Sequence, residues 1–476
     1  MSLSFDEYRA FDALGLAEAI RSGELHQNEV LEAALERLHT VNPRINAVTY
    51  LDEAAVADAR KAPATGPLGG VPYFIKDLHA PVKGMPLAHG SRLFADHRLD
   101  FDSETVVRLR RAGLRILGRT ASSEFGMSPS TETALAGPTR NPWSLSRIAG
   151  GSSGGAAAAV AAGILPASHA TDSGGSIRIP AACNGLVGLK PTRGLLPTGP
   201  HRGDATHGLS HEHAVTRSIR DCAALLDATA GPDVGAPYYT PRPAEPFLKL
   251  IAQPPRKLRI AFTTRTFRNA SVHPECEAAV LGTAKHLEDM GHEVEPGMPD
   301  FDPGALSAAT GILLLTGLAA QLQAREAVLG RPAREDELER VTWEAIRLSQ
   351  NISGVDYASQ FPRINQEVRK IAHFFESVDV LLTPTLGSPP VELGTLSTQT
   401  LSLTEFQKAA SEFIPFTGAF NATGQPAISL PLHWTSDGLP LGVQLVGRFG
   451  EDATLLQLSA EIERAWPWFH RTAPLL

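Results

Sequence analysis

The chain has 476 residues, 43% hydrophobic and 20% charged, a composition that supports a sizeable globular core. Its 43 basic and 51 acidic residues leave a formal net charge of −8, which argues against a nucleic-acid surface. Cys183, Cys222 and Cys276 form no disulfide framework and fit a reducing compartment, so a cytoplasmic location is expected. The acidic N-terminus MSLSFDEYRAFDALG lacks the basic and apolar pattern of a signal peptide.

In chain order, residues 5–40 predict two amphipathic helices broken at Ser22-Gly23, the second ended by Asn42-Pro43. Residues 45–51 read as β-like, Glu53–Lys61 as helix and 63–70 as a Pro/Gly loop. The apolar run 71–75 predicts a short buried strand that delivers Lys76 and Asp77 at its end. Residues 103–112 read as a helix capped by Ser103, and 114–118 as a strand, so the alternation predicts an α/β layered sheet. Residues 122–139 are polar and irregular and carry Phe125, Gly126 and Met127; long loops in a compact domain usually serve function.

The alanine-rich run 155–163 predicts a tightly packed helix, 193–213 a glycine- and histidine-rich loop, and 219–230 a helix. Residues 231–255 read as a proline-rich surface excursion. A strand at 258–263, a helix at 274–290 and the start of a short strand or loop at 294–296 follow. Residues 305–375 are mostly helical, 378–384 is a strand, 416–432 and 439–446 are strand-like, and Asp452–Ala465 is a last helix. The uncharged stretch 303–324 is too polar for a membrane span, with Ser307, Thr310, Thr316, Gln321 and Gln323 in it. It reads as a buried helix or pocket wall, with an interfacial helix as the alternative, and no stable membrane insertion is expected.

The chemistry gathers in residues 149–191, where Ser152 and Ser176 both sit among glycines that let other chain segments or a substrate come close. A serine hydroxyl is a weak nucleophile until something takes its proton. With 16 histidines a Ser/His/Asp scheme stays open, but no Gly-x-Ser-x-Gly elbow fits well. Serine plus lysine is the other arrangement, because a buried lysine readily becomes neutral and acts as a base. Lys76, at the end of an apolar strand, is the candidate. The positive end of the 155–163 helix would disfavour a nearby ammonium and favour an oxyanion. The run Asp172-Ser173-Gly174-Gly175-Ser176 supplies successive backbone N–H donors beside a serine. Taken singly, Ser152 is equally an N-cap, Ser176 a turn residue and Lys76 a solvated strand-end charge.

These residues resemble the amidase signature family. Residues 150–155 (GGSSGG), 171–180 (TDSGGSIRIP) and 188–192 (GLKPT) follow its signature in order. Gly70-Val71-Pro72 with Ile75-Lys76-Asp77 resembles its lysine motif, and 421–427 with 442–445 also matches. The resemblance implies one α/β domain over 1–476, a large mixed twisted β-sheet covered by helices on both faces. Its parts would be a helical region (1–62), a catalytic core (70–220), a variable substrate-specificity region (235–380) and C-terminal strands and helix completing the core (381–476).

The family implies a Ser–cis-Ser–Lys triad: Ser176 as acylated nucleophile, Ser152 as bridging serine with a cis peptide bond on one side, and Lys76 as ultimate base. The N–H groups of Ser173, Gly174, Gly175 and Ser176 would form the oxyanion hole, with Asp172, Arg178 and Ser153 in support. Activity would rise toward alkaline pH as the lysine loses its proton. Residues 140–143, 330–332, 342–344 and 424–431 resemble the 6-aminohexanoate cyclic-dimer hydrolase branch.

The substrate expected is a small linear or cyclic amide, an anilide or a carbamate, in a pocket walled by Phe125, Gly126, Met127, Leu314, Phe416 and Phe420. No cofactor, metal or nucleic-acid partner is expected, and a homodimer is the one self-association considered. The alternative is the glutaminase subunit of a tRNA-dependent amidotransferase, which normally reads Arg-Gln-Pro where this chain has Arg178-Ile179-Pro180. His201, His207, His211 and His213, with Asp204 and Glu212, invite a metal reading, but their spacing is weak and a polar loop or lid is expected instead.

Overall fold

The computed structural model describes residues 3–204, 206–268 and 270–474. Eight strands form the central sheet, in the order Glu293–Pro296, Arg259–Phe262, Val380–Pro384, Pro440–Gly447, Ala427–Trp434, Val187–Lys190, His211–Thr216 and Ala167–Asp172. The first three are mutually parallel and every later pairing is antiparallel, so the sheet is mixed. Alternation along each strand divides the core between its faces. Val380 and Leu382 pack with the helices Ile219–Thr229, Pro274–Asp289 and Asp452–Ala465. Leu381 points the other way, toward Pro303–Leu329 and Gln360–Ser377. The expected mixed α/β sheet with helices on both faces is what is found.

A three-stranded sheet, Val48–Leu51, Arg115–Thr120 and Pro72–Lys76, adjoins the eight-stranded one. Side chains bind the two sheets: Ser168 Oγ donates to Phe74 O at 3.1 Å, and the Lys76 N–H donates to His169 Nδ1 at 3.3 Å. The last residue of Pro72–Lys76 thereby lies beside the last residues of Ala167–Asp172. The Gly154–Ala161 helix is buried on nearly every side. Only small residues fit it, because a Cβ on Gly155 would collide with the backbone of Ala47 and Ala121.

Several boundaries differ from expectation. The N-terminal region holds three helices, Phe5–Ala10, Ala13–Ser22 and Gln27–Ile45. The last runs through Pro43 into its final turn, and Asn46 closes it in a left-handed cap. The 193–213 loop ends early, since His211–Thr216 is a central strand. The 416–432 run opens with the helix Ala419–Thr423, and its strand begins at Ala427.

Pro303–Leu329 is long and apolar enough to cross a membrane by length and composition, yet most of its apolar window is not buried. It forms a pocket wall, as expected, but not a buried core helix.

Candidate active site

Lys76 is fully buried at the end of its strand. Its Nζ lies 2.7 Å from Ser152 Oγ and 2.8 Å from Thr171 Oγ1. Burial pushes the ammonium well below its usual range near 10.5, and the charges of Asp172 and Glu212 only partly restore it. The amine is therefore poised to be neutral in the folded protein. Ser152 is 1% exposed, and its peptide bond from Gly151 is cis. Ser152 lies two residues before the helix that begins at Gly154. Ser153 turns away from the cavity and exchanges hydrogen bonds with the Thr171 backbone, both at 3.3 Å.

Asp172 and Arg178 form a buried, two-bond ion pair, with both contacts at 2.9 Å. Arg178 also reaches Thr417 O, Gln444 Oε1 and Asn421 Oδ1, while Asn421 Nδ2 donates back to Asp172 Oδ1. Burial alone would raise the Asp172 carboxyl, but Arg178 and Asn421 outweigh it and hold it far below its usual range. Removing one partner of such a pair typically costs ~3–5 kcal/mol. The pair ties the 173–176 turn to the C-terminal strands.

Asp172 Oδ1 also accepts the Gly175 N–H at 2.7 Å. That corrects the expected donor set: Gly175 is spent on holding the turn. Among the described residues, no group accepts from the N–H of Ser173, Gly174 or Ser176. Gly175 has φ +132, and a Cβ there would collide with Thr417 Oγ1 and, at 2.6 Å, with Ile179 Cδ1. Gly175→Ala is expected to displace the turn and lower kcat about 100-fold or more, the usual loss for one misplaced donor. Steady-state kinetics beside a circular-dichroism check of folding tests this, and a near-parental kcat contradicts it.

A cavity of about 600 Å³ opens onto Ser152, Ser173, Gly174 and Ser176, a size suited to small-molecule sites. Phe125, Gly126, Met127 and Leu314 line it as expected. Phe416 and Phe420 do not. They sit one helical turn apart on the inward side of their segment, fully buried against Phe267, with ring centroids 6.0 and 6.1 Å from it. Leu78, Ile179 and Leu318 complete the apolar wall instead.

The four histidines do not converge. His201 packs against Phe101, and His207 Nδ1 is 3.0 Å from the Tyr357 hydroxyl. His211 and His213 face one side of a strand while Glu212 faces the other, toward His169. Among the described residues, no three His, Cys, Asp or Glu side chains form a metal-ligand group.

Sequence reasoning missed two features. Thr171 precedes Asp172 on one strand, so alternation points it at Lys76 while Asp172 faces Arg178; that signal was readable. Glu124 and Glu339 had no such signal. Glu124 accepts from Ser91 Oγ at 2.7 Å and from the Glu339 N–H at 3.0 Å, joining the 124–127 loop to the start of Arg340–Ser349. Burial and the nearby Glu339 push its carboxyl up to about 7.

The family model described as Amidase matches residues 29–456. The chain belongs to the amidase family. This amidase is 37% identical to a 6-aminohexanoate-cyclic-dimer hydrolase of Paenarthrobacter ureafaciens, over 98% of this chain and 97% of that protein. It is 34% identical to an acylamidase of Rhodococcus erythropolis, covering 96% of this chain and 95% of that one. A solved structure of a 6-aminohexanoate cyclic dimer hydrolase superposes with a TM-score of 0.93 at 37% identity, covering 98% of this amidase and 99% of that chain. A glutamyl-tRNA(Gln) amidotransferase component from Thermotoga maritima is more distant, with a TM-score of 0.75 at 26% identity over 97% and 96% of the two chains.

Proposed function

We propose that this amidase cleaves a small carboxamide through an acyl-enzyme on Ser176, with Ser152 relaying protons to and from Lys76. The observation that carries the reading is a fully buried amine 2.7 Å from one serine, in a cavity that also exposes a second serine beside backbone donors. Neutral Lys76 accepts the Ser152 proton as Ser152 takes that of Ser176. Ser176 Oγ attacks the carbonyl carbon, and the N–H groups of Ser173, Gly174 and Ser176 receive the oxyanion. The relay then runs backward. The proton reaches the amide nitrogen, the C–N bond breaks and the amine leaves. Water, deprotonated by the same relay, hydrolyses the ester and frees the acid.

Asp172 and Arg178 position the turn and transfer no proton. The apolar wall of Leu78, Phe125, Met127, Ile179 and Leu318 suits an uncharged substrate, a linear or cyclic amide or an anilide. The similarity to a hydrolase named for a cyclic dimer supports including cyclic amides. A panel of linear amides, cyclic amides, anilides, carbamates and glutamine tests the assignment. Turnover of neutral amides with none of glutamine is expected; turnover of glutamine alone overturns it.

A further inference from the structure

Phe125, Gly126 and Met127 wall one side of the catalytic cavity. Phe125 and Gly126 both have left-handed backbones, with φ of 49° and 73°. Glycine adopts that conformation freely, whereas a bulky aromatic holds it only where its surroundings fix it. The bend also brings Gly126 against the relay serine: a Cβ there would meet Ser152 Oγ at 3.3 Å and Leu78 Cδ2 at 2.8 Å.

Two outside segments hold the bend. Residues 89–91 lie on one side of it. His89 O accepts the Phe125 N–H at 2.8 Å, and Ser91 Oγ donates to Glu124 Oε1 at 2.7 Å. Gly90 packs so closely that a Cβ on it would collide with Ser122 O. Residues 338–346 form the other support, within the region expected to carry substrate specificity. The Glu339 N–H, just before the helix Arg340–Ser349, donates to Glu124 Oε2 at 3.0 Å. Leu338, Ala345 and Ile346 share one apolar cluster with Phe125, and the Thr342 hydroxyl donates to Met127 Sδ at 3.8 Å. The Glu339 carboxylate is itself held by the Ala134 N–H, at 2.8 Å, and by the Thr398 hydroxyl. Glu124 thus bonds to both segments at once, one carboxylate oxygen to each. It is buried, as are Ser91 and Glu339, so its loss would leave two buried donors unpaired.

We propose that Glu124 is a positioning residue for substrate selection: by tying Ser91 to the Glu339 backbone it fixes Phe125 and Met127 as a wall for an apolar substrate group, and it is the joint through which residues 338–346 act on specificity. The inference rests on amide hydrolysis at Ser176 and assigns the shape of its substrate wall to a residue that touches no substrate.

The test uses two series of neutral amides, each varying only the size of one apolar substituent, on the acyl side in one and on the amine side in the other. In the series whose substituent meets the wall, Glu124→Ala is expected to lower kcat/KM for the largest member relative to the smallest about tenfold or more, chiefly by raising KM. Glu124→Gln keeps an acceptor for the Glu339 N–H and a donor for Ser91 Oγ, and is expected to hold that ratio within about threefold of parental. A variant that is merely less well folded loses kcat in the same proportion for every member, with KM unchanged. Such a uniform loss, a parental ratio in Glu124→Ala in both series, or a ratio as damaged in Glu124→Gln as in Glu124→Ala overturns the inference. If Glu124→Ala does not fold, Ser91→Ala decides: a shift of the ratio in the same direction by about threefold supports the inference, and an unmoved ratio overturns it. Failure of the parent to turn over any amide of the panel counts against the proposed function. Parental turnover with the size ratio unmoved in the variants counts against the role of Glu124 alone.

Discussion

Ser176→Ala is expected to lower kcat for amide hydrolysis about 10⁴- to 10⁶-fold while leaving the fold and substrate binding close to parental. The size follows from the chemistry. Without Ser176 Oγ there is no covalent intermediate, and the remaining catalysis comes from the backbone donors and the cavity alone. The small structural effect follows from the site. Ser176 is only partly buried, and among the described residues its hydroxyl makes no hydrogen bond that alanine would remove. KM should therefore change little and kcat greatly, the pattern of a group that acts in the transition state. Retention of more than about 1% of parental kcat, in protein freed of parental contamination, would contradict the assignment.

Lys76→Met is expected to lower kcat about 10²- to 10⁴-fold and to remove the acid limb of the pH profile. In the parent, kcat/KM is expected to rise with pH as the Lys76 ammonium loses its proton and to be flat above that point. Because burial holds this pKa well below 10.5, the rise is complete before an ordinary lysine would titrate. The sequence alone suggested only a rise toward alkaline pH; the burial moves it toward neutrality. The linkage has a definite sign. Between the lowered value and about 10.5 the unfolded chain still holds a proton at Lys76 that the folded chain has released. Parental stability relative to Lys76→Met should thus increase with pH between the lowered value and 10.5. Urea unfolding of both proteins across that window checks this. An acid limb that persists unchanged in Lys76→Met would show that another group is the base.

Much of the site was legible because its parts lie at strand ends and among glycines. Lys76 closes an apolar run, and Ser152 and Ser176 sit among glycines, of which Gly151, Gly154, Gly155 and Gly175 have no room for a side chain. Where the reading stopped, three-dimensional packing made the choice. Phe416 and Phe420 look equally fit for a pocket wall or a core; the turn and short helix around them face both rings toward Phe267. Gly175 looks like one donor among four, but its N–H is spent on Asp172 because Arg178 fixes that carboxylate beside it. His211 and His213 lie among loop-forming residues, yet pairing with Ala170 and Asp172 makes them strand residues.

The central claim is covalent chemistry at Ser176, and the most direct measurement is the site of acylation. The amidase is mixed with a slowly deacylating activated anilide, quenched in acid, and examined by intact mass and peptide mapping. One acyl group is expected, on the peptide containing Ser176, and it should be absent from Ser176→Ala. An acyl group on Ser152 or any other residue, or full turnover by Ser176→Ala with no adduct in either protein, would contradict the account.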